Sequence, residues 1–490
     1  MDRFVKNDAV SFAQAYCQNP VCVPSRCSFL SGLYPHVYGH RTMEYAIDGE
    51  CVPMFKELKD AGYHVWMNNR NDFIPNYKVE AFKENADTIY FPKGPMVRAH
   101  GADTGEHPNW VQRSFMVGVI PEESEESPDR DADAFRTLLS FIKNRPEDKP
   151  FCAFLGLFNP HPPYGVEQRY YDAVDPTLIV DRIPTPKDWG KLPAMLKHLH
   201  DEMNLKLTED DWKEMQRLYY AMCMKVDDYF GQLIALLEAE GIYDETDIYI
   251  LSDHGDFAGN YGLPEKNQNT FQDCLTRVPL IIKPREGIPV VPGVRNGLVE
   301  LIDFYATVMD LSGVEATHSH FGRSLRLMLA DSNAGGRDYV FCEGGRLANE
   351  THCMENSPFI LDCYVPRLGG QKNNQLHTKA TMIRSKDYKY VKRLYEQDEF
   401  YDLNRDKMEL CNAIDEPEYA EKILEMKMAM LEWYQRTCDI VPFAEDGRCG
   451  NAFQTLIEQY VPDELKAAYM EKARMGGYTL DEFETMCQNC

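Results

Sequence analysis

Basic side chains are in short supply. The 490 residues carry 52 Lys and Arg against 78 Asp and Glu, a net charge of −26. A field of that sign repels nucleic acid and anionic membrane surfaces, which excludes both as partners. It repels anionic substrates as well, so a site that processes anions must supply its own local cations. Long apolar runs are also missing: none approaches the roughly 20 residues of a bilayer-crossing helix, which excludes a membrane span. No basic stretch followed by an apolar one opens the chain, so no secretory leader is visible and a cytoplasmic location is expected. The 15 cysteines follow no repeat spacing, and internal repeats and low-complexity tracts are missing. A disulfide scaffold is excluded, and most thiols are expected to be reduced and partly buried.

What is present is an alternation of apolar runs and amphipathic segments. "FCAFLGLF" (Phe151 to Phe158) reads as a buried strand leading into the loop "NPHPPY". Trp212 to Gly241 has helical periodicity, with Leu218, Met222, Val226, Phe230, Leu233 and Leu237 three or four apart and Gly241 as the stop. "DIYILSDHGDFAG" is an apolar strand, Ile248 to Leu251, running into a polar loop; Val278 to Pro284 is another buried strand; Leu298 to Gly313 is a helix with a glycine stop. The alternation predicts an α/β fold: a mostly parallel central sheet flanked by helices. Active sites of such sheets gather at the carboxyl ends of the strands, so the loops after Phe158 and Leu251 draw attention. After about Gly370 the character changes. Thr378 to Leu403 reads as an antiparallel meander, followed by helical stretches from Glu416 to Arg436 and from Ala452 to Lys472. The expected organisation is a catalytic domain over 1–370, a smaller α+β domain with an antiparallel sheet over 371–440, and a helical tail over 441–490. Pro366 to Gly370 suits a linker.

One stretch carries chemistry, "CQNPVCVPSRCSFLSG" (Cys17 to Gly32). Pro24 fixes φ, Ser25 favours a helix cap, and Phe29 and Leu30 begin an apolar face. Cys22 would sit just before a helix start, where backbone N–H groups favour an anion, with Arg26 on the first turn. The residues alone leave two readings open: a low-pKa thiolate nucleophile, or a buried structural cysteine beside a helix cap.

"CVPSRCSFLSG" resembles the signature of the sulfatases, Cys-x-Pro-Ser-Arg followed by an apolar pair and a small residue plus Gly. The resemblance implies an alkaline-phosphatase-like fold and conversion of Cys22 to formylglycine by a maturase that reads the neighbouring Pro and Arg. It also implies a small sulfated substrate, cleaved by the aldehyde hydrate in covalent catalysis. Cys22 and Arg26 would belong to the catalytic centre. "SDHGD" resembles the segment delivering metal ligands, so Asp253 and His254 would bind a divalent cation together with modified Cys22. Carboxylate oxygen suits calcium or magnesium, and the imidazole admits manganese or zinc. The Asp/His pair differs from the Asp/Asn pair of many sulfatases but occurs in some sulfatases and in phosphonate monoester hydrolases. Lys266, in "EKNQNTFQDCLTRVPLIIKP", matches a sulfate-binding Lys. His161, in "NPHPPY", matches a residue that protonates the leaving oxygen or binds sulfate. "AGYHVWMNNRNDF" matches a Gly-Lys segment with Arg70 in place of Lys and Asp72 after it, which implies anion binding with altered geometry. His377 and Lys379 would reach the substrate from the C-terminal domain. The resemblance runs from residue 1 to about residue 435.

The family begins with an apolar strand ending in paired aspartates. "MDRFVKNDAVSFAQAY" offers only Asp2 and Asp8 before Cys22, and neither follows an apolar strand. The expectation is that upstream sequence is lost and that the cation lacks two of its carboxylates. Three functions follow: a formylglycine-dependent sulfuric ester hydrolase, a phosphonate monoester or phosphodiester hydrolase of the same superfamily, or a catalytically impaired sulfatase-like binding protein.

Overall fold

The computed structural model describes residues 1–47, 53–74, 78–95, 115–124, 128–355, 364–443, 457–458 and 461–475. The chain separates into two compact units, Met1–Ile440 and Val441–Cys490. In the first, one four-stranded sheet runs in the order Gly293–Arg295, Val10–Phe12, Leu280–Lys283, Ile248–Leu251. Val10–Phe12 lies parallel to Gly293–Arg295 and antiparallel to Leu280–Lys283, which is antiparallel to Ile248–Leu251. Parallel pairing governs His64–Asn68, flanked by Thr88–Tyr90 and Phe151–Phe154, and also joins Met116–Ile120 to Tyr164–Glu167. The α/β class expected from the alternation holds, with parallel sheets and, in the four-stranded sheet, antiparallel pairing of Leu280–Lys283 with both of its neighbours. Apolar side chains of these strands and of the helices Cys22–Ser31 and Ile302–Ser312 form one core, including Phe12, Phe29, Leu280, Phe304 and Leu311.

Local chemistry sets the helix limits. Glu209–Ala239 starts in a capping box, in which the Thr208 side chain accepts from the Asp211 N–H and the Asp211 carboxylate accepts from the Thr208 N–H. Cys22–Ser31 ends at Gly32, whose φ of 73° is left-handed. A Cβ there would lie 2.8 Å from the Tyr305 ring, so glycine is required on both counts.

The antiparallel meander is present as Ala380–Arg384, Tyr388–Arg393 and Glu399–Asp402, and it gains a first strand, Val340–Gly344. That strand lies on the far side of the expected linker, and the linker is itself a helix, Val365–Gln371. Pro366 is accommodated because the first helical turn needs no N–H there. The helix Ala420–Thr437 packs on this sheet through Ile423, Met426, Met430 and Trp433. The expected helix over 452–472 lies partly outside the described residues; Asp463–Met475 is helical. Among the described residues, no helix is long and apolar enough to cross a membrane.

The Trp433 ring stacks on Phe341 with centroids 4.2 Å apart and planes within 2°. Trp433→Ala should therefore lower the unfolding free energy by about 3–5 kcal/mol, read by urea denaturation. A loss below about 1 kcal/mol would mean that this contact does not hold helix to sheet.

Candidate active site

The site assembles where several strands end. The helix Cys22–Ser31 begins at Cys22 itself, one residue earlier than the sequence suggests, because Asn19 Oδ1 accepts from the Val21 N–H and turns the chain into it. Ser25 is therefore not the cap. Its hydroxyl donates to the Asp253 carbonyl at 2.5 Å. Past the end of strand Ile248–Leu251, the Asp253 carboxylate accepts from Arg26 Nε at 2.8 Å, and His254 Nε2 lies 3.2 Å from Cys22 Sγ. His254 Nδ1 donates to the Gly255 carbonyl, which fixes the ring. Gly255 is held at its place by closeness: a Cβ there would lie 1.9 Å from the Cys274 carbonyl oxygen.

Strand His64–Asn68 delivers Arg70 and Asp72. Asn68 exchanges two hydrogen bonds with the Gly156 backbone, and Asn71 Oδ1 accepts from the N–H groups of Phe73 and Ile74. The resulting tight turn puts Asp72 in the left-handed region, at φ 58°. Arg70 Nη1 grips both Asp72 oxygens, at 3.0 and 2.7 Å, while its Nη2 points at Cys22 Sγ from 3.8 Å. Its guanidinium lies over the Phe158 ring, 4.6 Å from the centroid. From the third strand end, Phe151–Phe154, the loop brings His161 to 2.7 Å from Lys266 Nζ. Lys266 also holds Glu265 at 2.9 Å. Among the sequence candidates, Cys22, Arg26, Arg70, Asp72, Asp253 and His254 thus share one contact network, and His161 and Lys266 pair beside it.

The charges are interdependent. Burial would push the Cys22 thiol up, but Lys266 and His254 outweigh it and bring it down to about 7. Burial would lower His254, yet the Asp253 carboxylate and the Cys22 thiolate raise it to about 9. Asp253 is held well below the usual carboxylate range, because Arg26, His254 and Arg70 outweigh its burial. His161 is driven well down by burial and by the charges of Lys266 and Arg70, so its imidazole is neutral. Its Nε2 therefore accepts from Lys266, and its Nδ1–H donates to the Pro162 carbonyl.

His377 and Lys379 stand apart. Among the described residues, neither makes a hydrogen bond or ion pair with this network. His377 is fully buried and pushed down to about 3 by its burial and by Arg346 and Arg367. Burial lowers Lys379 too, and Arg41, Glu343 and Glu350 are its charged neighbours. Sequence reasoning missed Ser25, Phe158 and Glu265. The acidic residue adjoining Lys266 was the available signal for the last.

Cys22, Asp253 and His254 offer Sγ, a carboxylate oxygen and an imidazole nitrogen within 4.8 Å of one another. That is half or less of the six to eight oxygens calcium takes. The carboxylate is also shared with Arg26. These residues fit a divalent cation as a partial ligand set.

The fold and the family match are those of a sulfatase-superfamily hydrolase. The chain belongs to the sulfatase family, whose model matches residues 1–314. It is similar to the choline-sulfatase of Rhizobium meliloti (strain 1021), 24% identical over 83% of this chain and 75% of the relative. The multifunctional alkaline phosphatase superfamily protein PehA of Trinickia caryophylli is 24% identical over 84% of both chains. Arylsulfatase K of Mus musculus is 24% identical over 84% of this chain and 71% of its own. Among solved structures, the fold is similar to BT4656 in complex with its substrate D-glucosamine-2-N,6-O-disulfate (TM-score 0.66, 21% identity, 89% of this chain and 92% of that one). It is also similar to the phosphonate monoester hydrolase of Agrobacterium radiobacter (TM-score 0.65, 19% identity, 89% and 90%). The fold is accordingly alkaline-phosphatase-like.

The unmodified thiol should titrate near pH 7. Its stabilising contribution is complete above its ordinary value of 9.0 and is lost as the pH falls through about 7. Thiolate absorbance of the wild type minus that of Cys22→Ser, followed against pH, should rise with that midpoint. A midpoint near 9 would contradict the charge arrangement.

Proposed function

We propose that the protein hydrolyses sulfate monoesters after a maturase, reading Pro24 and Arg26, converts Cys22 to formylglycine. The observation that supports this most strongly is the meeting of Cys22 Sγ with His254 at 3.2 Å and the Arg70 fork at 3.8 Å, beside Asp253. The thiol here stands in for the formylglycine oxygens. Once formed, the hydrated aldehyde supplies two geminal hydroxyls, one to attack the ester and one to release the bound product. Asp253 and His254 would hold a divalent cation, calcium by preference and magnesium or manganese as alternatives, which supplies positive charge beside the attacked centre.

The remaining work falls to the chain's own groups. Arg70 and Lys266 bring fixed positive charge to the ester oxygens, and in a buried site such charge is worth far more than in water. Arg26 keeps Asp253 ionised and oriented through its 2.8 Å bond. Lys266, held by Nε2 of neutral His161 at 2.7 Å, carries the proton that the leaving oxygen requires.

A second reading, phosphonate monoester or phosphodiester hydrolysis, is favoured by the Asp253/His254 pair and by the likeness to PehA and to the phosphonate monoester hydrolase.

After co-expression with a maturase, the tryptic peptide Asn7–Arg26 should lose about 18 Da at Cys22, the difference between thiol and aldehyde. The converted protein should cleave 4-nitrophenyl sulfate faster than the matching phenylphosphonate ester and phosphodiester. Cys22→Ala should lower that rate by about a thousandfold or more. Reversed preference would select the second reading. Conversion without turnover of any ester would make the protein a binding member of the fold.

A further inference from the structure

The loop of His161 runs into a strand whose first side chain, outside the site, bonds the segment carrying Asp253, His254 and Lys266 at two points. Tyr164 is the first residue of the strand Tyr164–Glu167, three positions past His161, and it is fully buried. Its hydroxyl donates to Asp256 Oδ1 at 2.7 Å, two residues past His254. The same oxygen accepts from the Glu265 N–H at 3.0 Å, one residue before Lys266.

The backbone between these two points is under strain. Ala258, Tyr261 and Glu265 have φ of 42°, 59° and 61°, the left-handed region that side chains with a Cβ rarely occupy. Such conformations persist only where their surroundings over-determine them. Two backbone bonds close the segment, Phe257 N–H to the Glu265 carbonyl at 2.7 Å and Gly259 N–H to the Leu263 carbonyl at 2.9 Å. The Ala258 N–H binds the same Asp256 oxygen at 2.7 Å. None of these involves the strand that follows the loop of His161; the Tyr164 hydroxyl, carried on that strand, ties it to both points, beside the direct bond between His161 and Lys266.

We infer that Tyr164 is a positioning residue that sets the register of His161, His254 and Lys266 around one bound oxyanion. This inference rests on the reading of the site as an anion-ester hydrolase. Without the hydroxyl, the N–H of buried Glu265 loses its partner, and Asp256 Oδ1 keeps only the Ala258 N–H. The strained segment then has freedom to relax, and Lys266 and His254 lose their fixed spacing. Displacements on the order of 1 Å can cost roughly a hundredfold in rate when reacting groups must be aligned.

The test compares Tyr164→Phe with wild type, both with Cys22 converted. It reads steady-state hydrolysis of 4-nitrophenyl sulfate and calorimetric binding of inorganic sulfate and inorganic phosphate. Tyr164→Phe should lower kcat by about tenfold to a hundredfold with KM changed less than about threefold. It should also weaken binding of the anion that the wild type takes by about tenfold. Where Tyr164→Phe does not fold, Asp256→Asn, which keeps an oxygen acceptor and the side-chain shape, should show a smaller loss of the same kind. A Tyr164→Phe protein with a lowered melting temperature but unchanged kcat and anion affinity overturns the inference and leaves the function intact. A wild type that binds neither anion overturns both.

Discussion

The contact on which the site depends is the ion pair between Arg26 and Asp253. Arg26 lies on the helix that Cys22 opens, and Asp253 lies beyond the strand Ile248–Leu251. The same guanidinium donates through Nη1 to the Arg70 carbonyl at 2.7 Å. One side chain therefore ties together the helix that Cys22 opens, the loop of Asp253 and His254, and the loop of Arg70. Ser25 adds a second tie to the Asp253 carbonyl. A buried pair of this kind contributes little net stability, because desolvation offsets its attraction, but breaking it leaves a charge stranded. Its value lies in geometry: the distance from Cys22 to His254 is set by groups one turn away on the same helix.

The electrostatics of the site run against those of the whole molecule. With a net charge of −26, the surface field disfavours an anionic substrate. Inside, Arg26, Arg70, Lys266 and a protonated His254 converge on Cys22. Asp72, Asp253 and Glu265 hold these cations in place. Of the remaining donors, Arg70 Nη2 faces Cys22 Sγ, Arg26 Nη1 holds the Arg70 carbonyl and Lys266 Nζ holds His161. The low value of the Cys22 thiol is a measure of the same field. A group that stabilises a thiolate also stabilises the charge on a sulfate or phosphate oxygen.

Much of the framework was legible in the chain. Strand Ile248–Leu251 and the Gly313 helix stop follow from apolar runs and turn residues, and the core face of Glu209–Ala239 from periodicity. Cys22, Arg26, Asp253 and His254 were legible because the chemistry resides in compact motifs. The structure adds pairings that no local pattern encodes. Val340–Gly344 joins the meander across a helix that composition suggested was a linker, since Pro at the start and Gly near the end of a short helix look like Pro and Gly in a loop. Tyr164, Asp256 and Glu265 contact one another across about a hundred residues of chain, so only the folded geometry brings them into one argument. The resemblance implied that His377 would reach the substrate, yet it is fully buried beside Arg346, because tertiary packing around the C-terminal sheet decides its surroundings.

Arg70 shows what replacing a lysine achieves. An ammonium has three donors around one atom, so it cannot hold an aspartate bidentately and still present a separate arm elsewhere. The guanidinium does both: Nη1 takes both oxygens of Asp72, while Nη2 faces Cys22 Sγ. Its stacking on Phe158 restrains the plane from a third side. The donor facing the reacting position is thus fixed before any substrate enters, and its charge does not vary over the working pH range. Asp72 adopts a left-handed conformation to make this hold, so local backbone strain accompanies the fixed guanidinium.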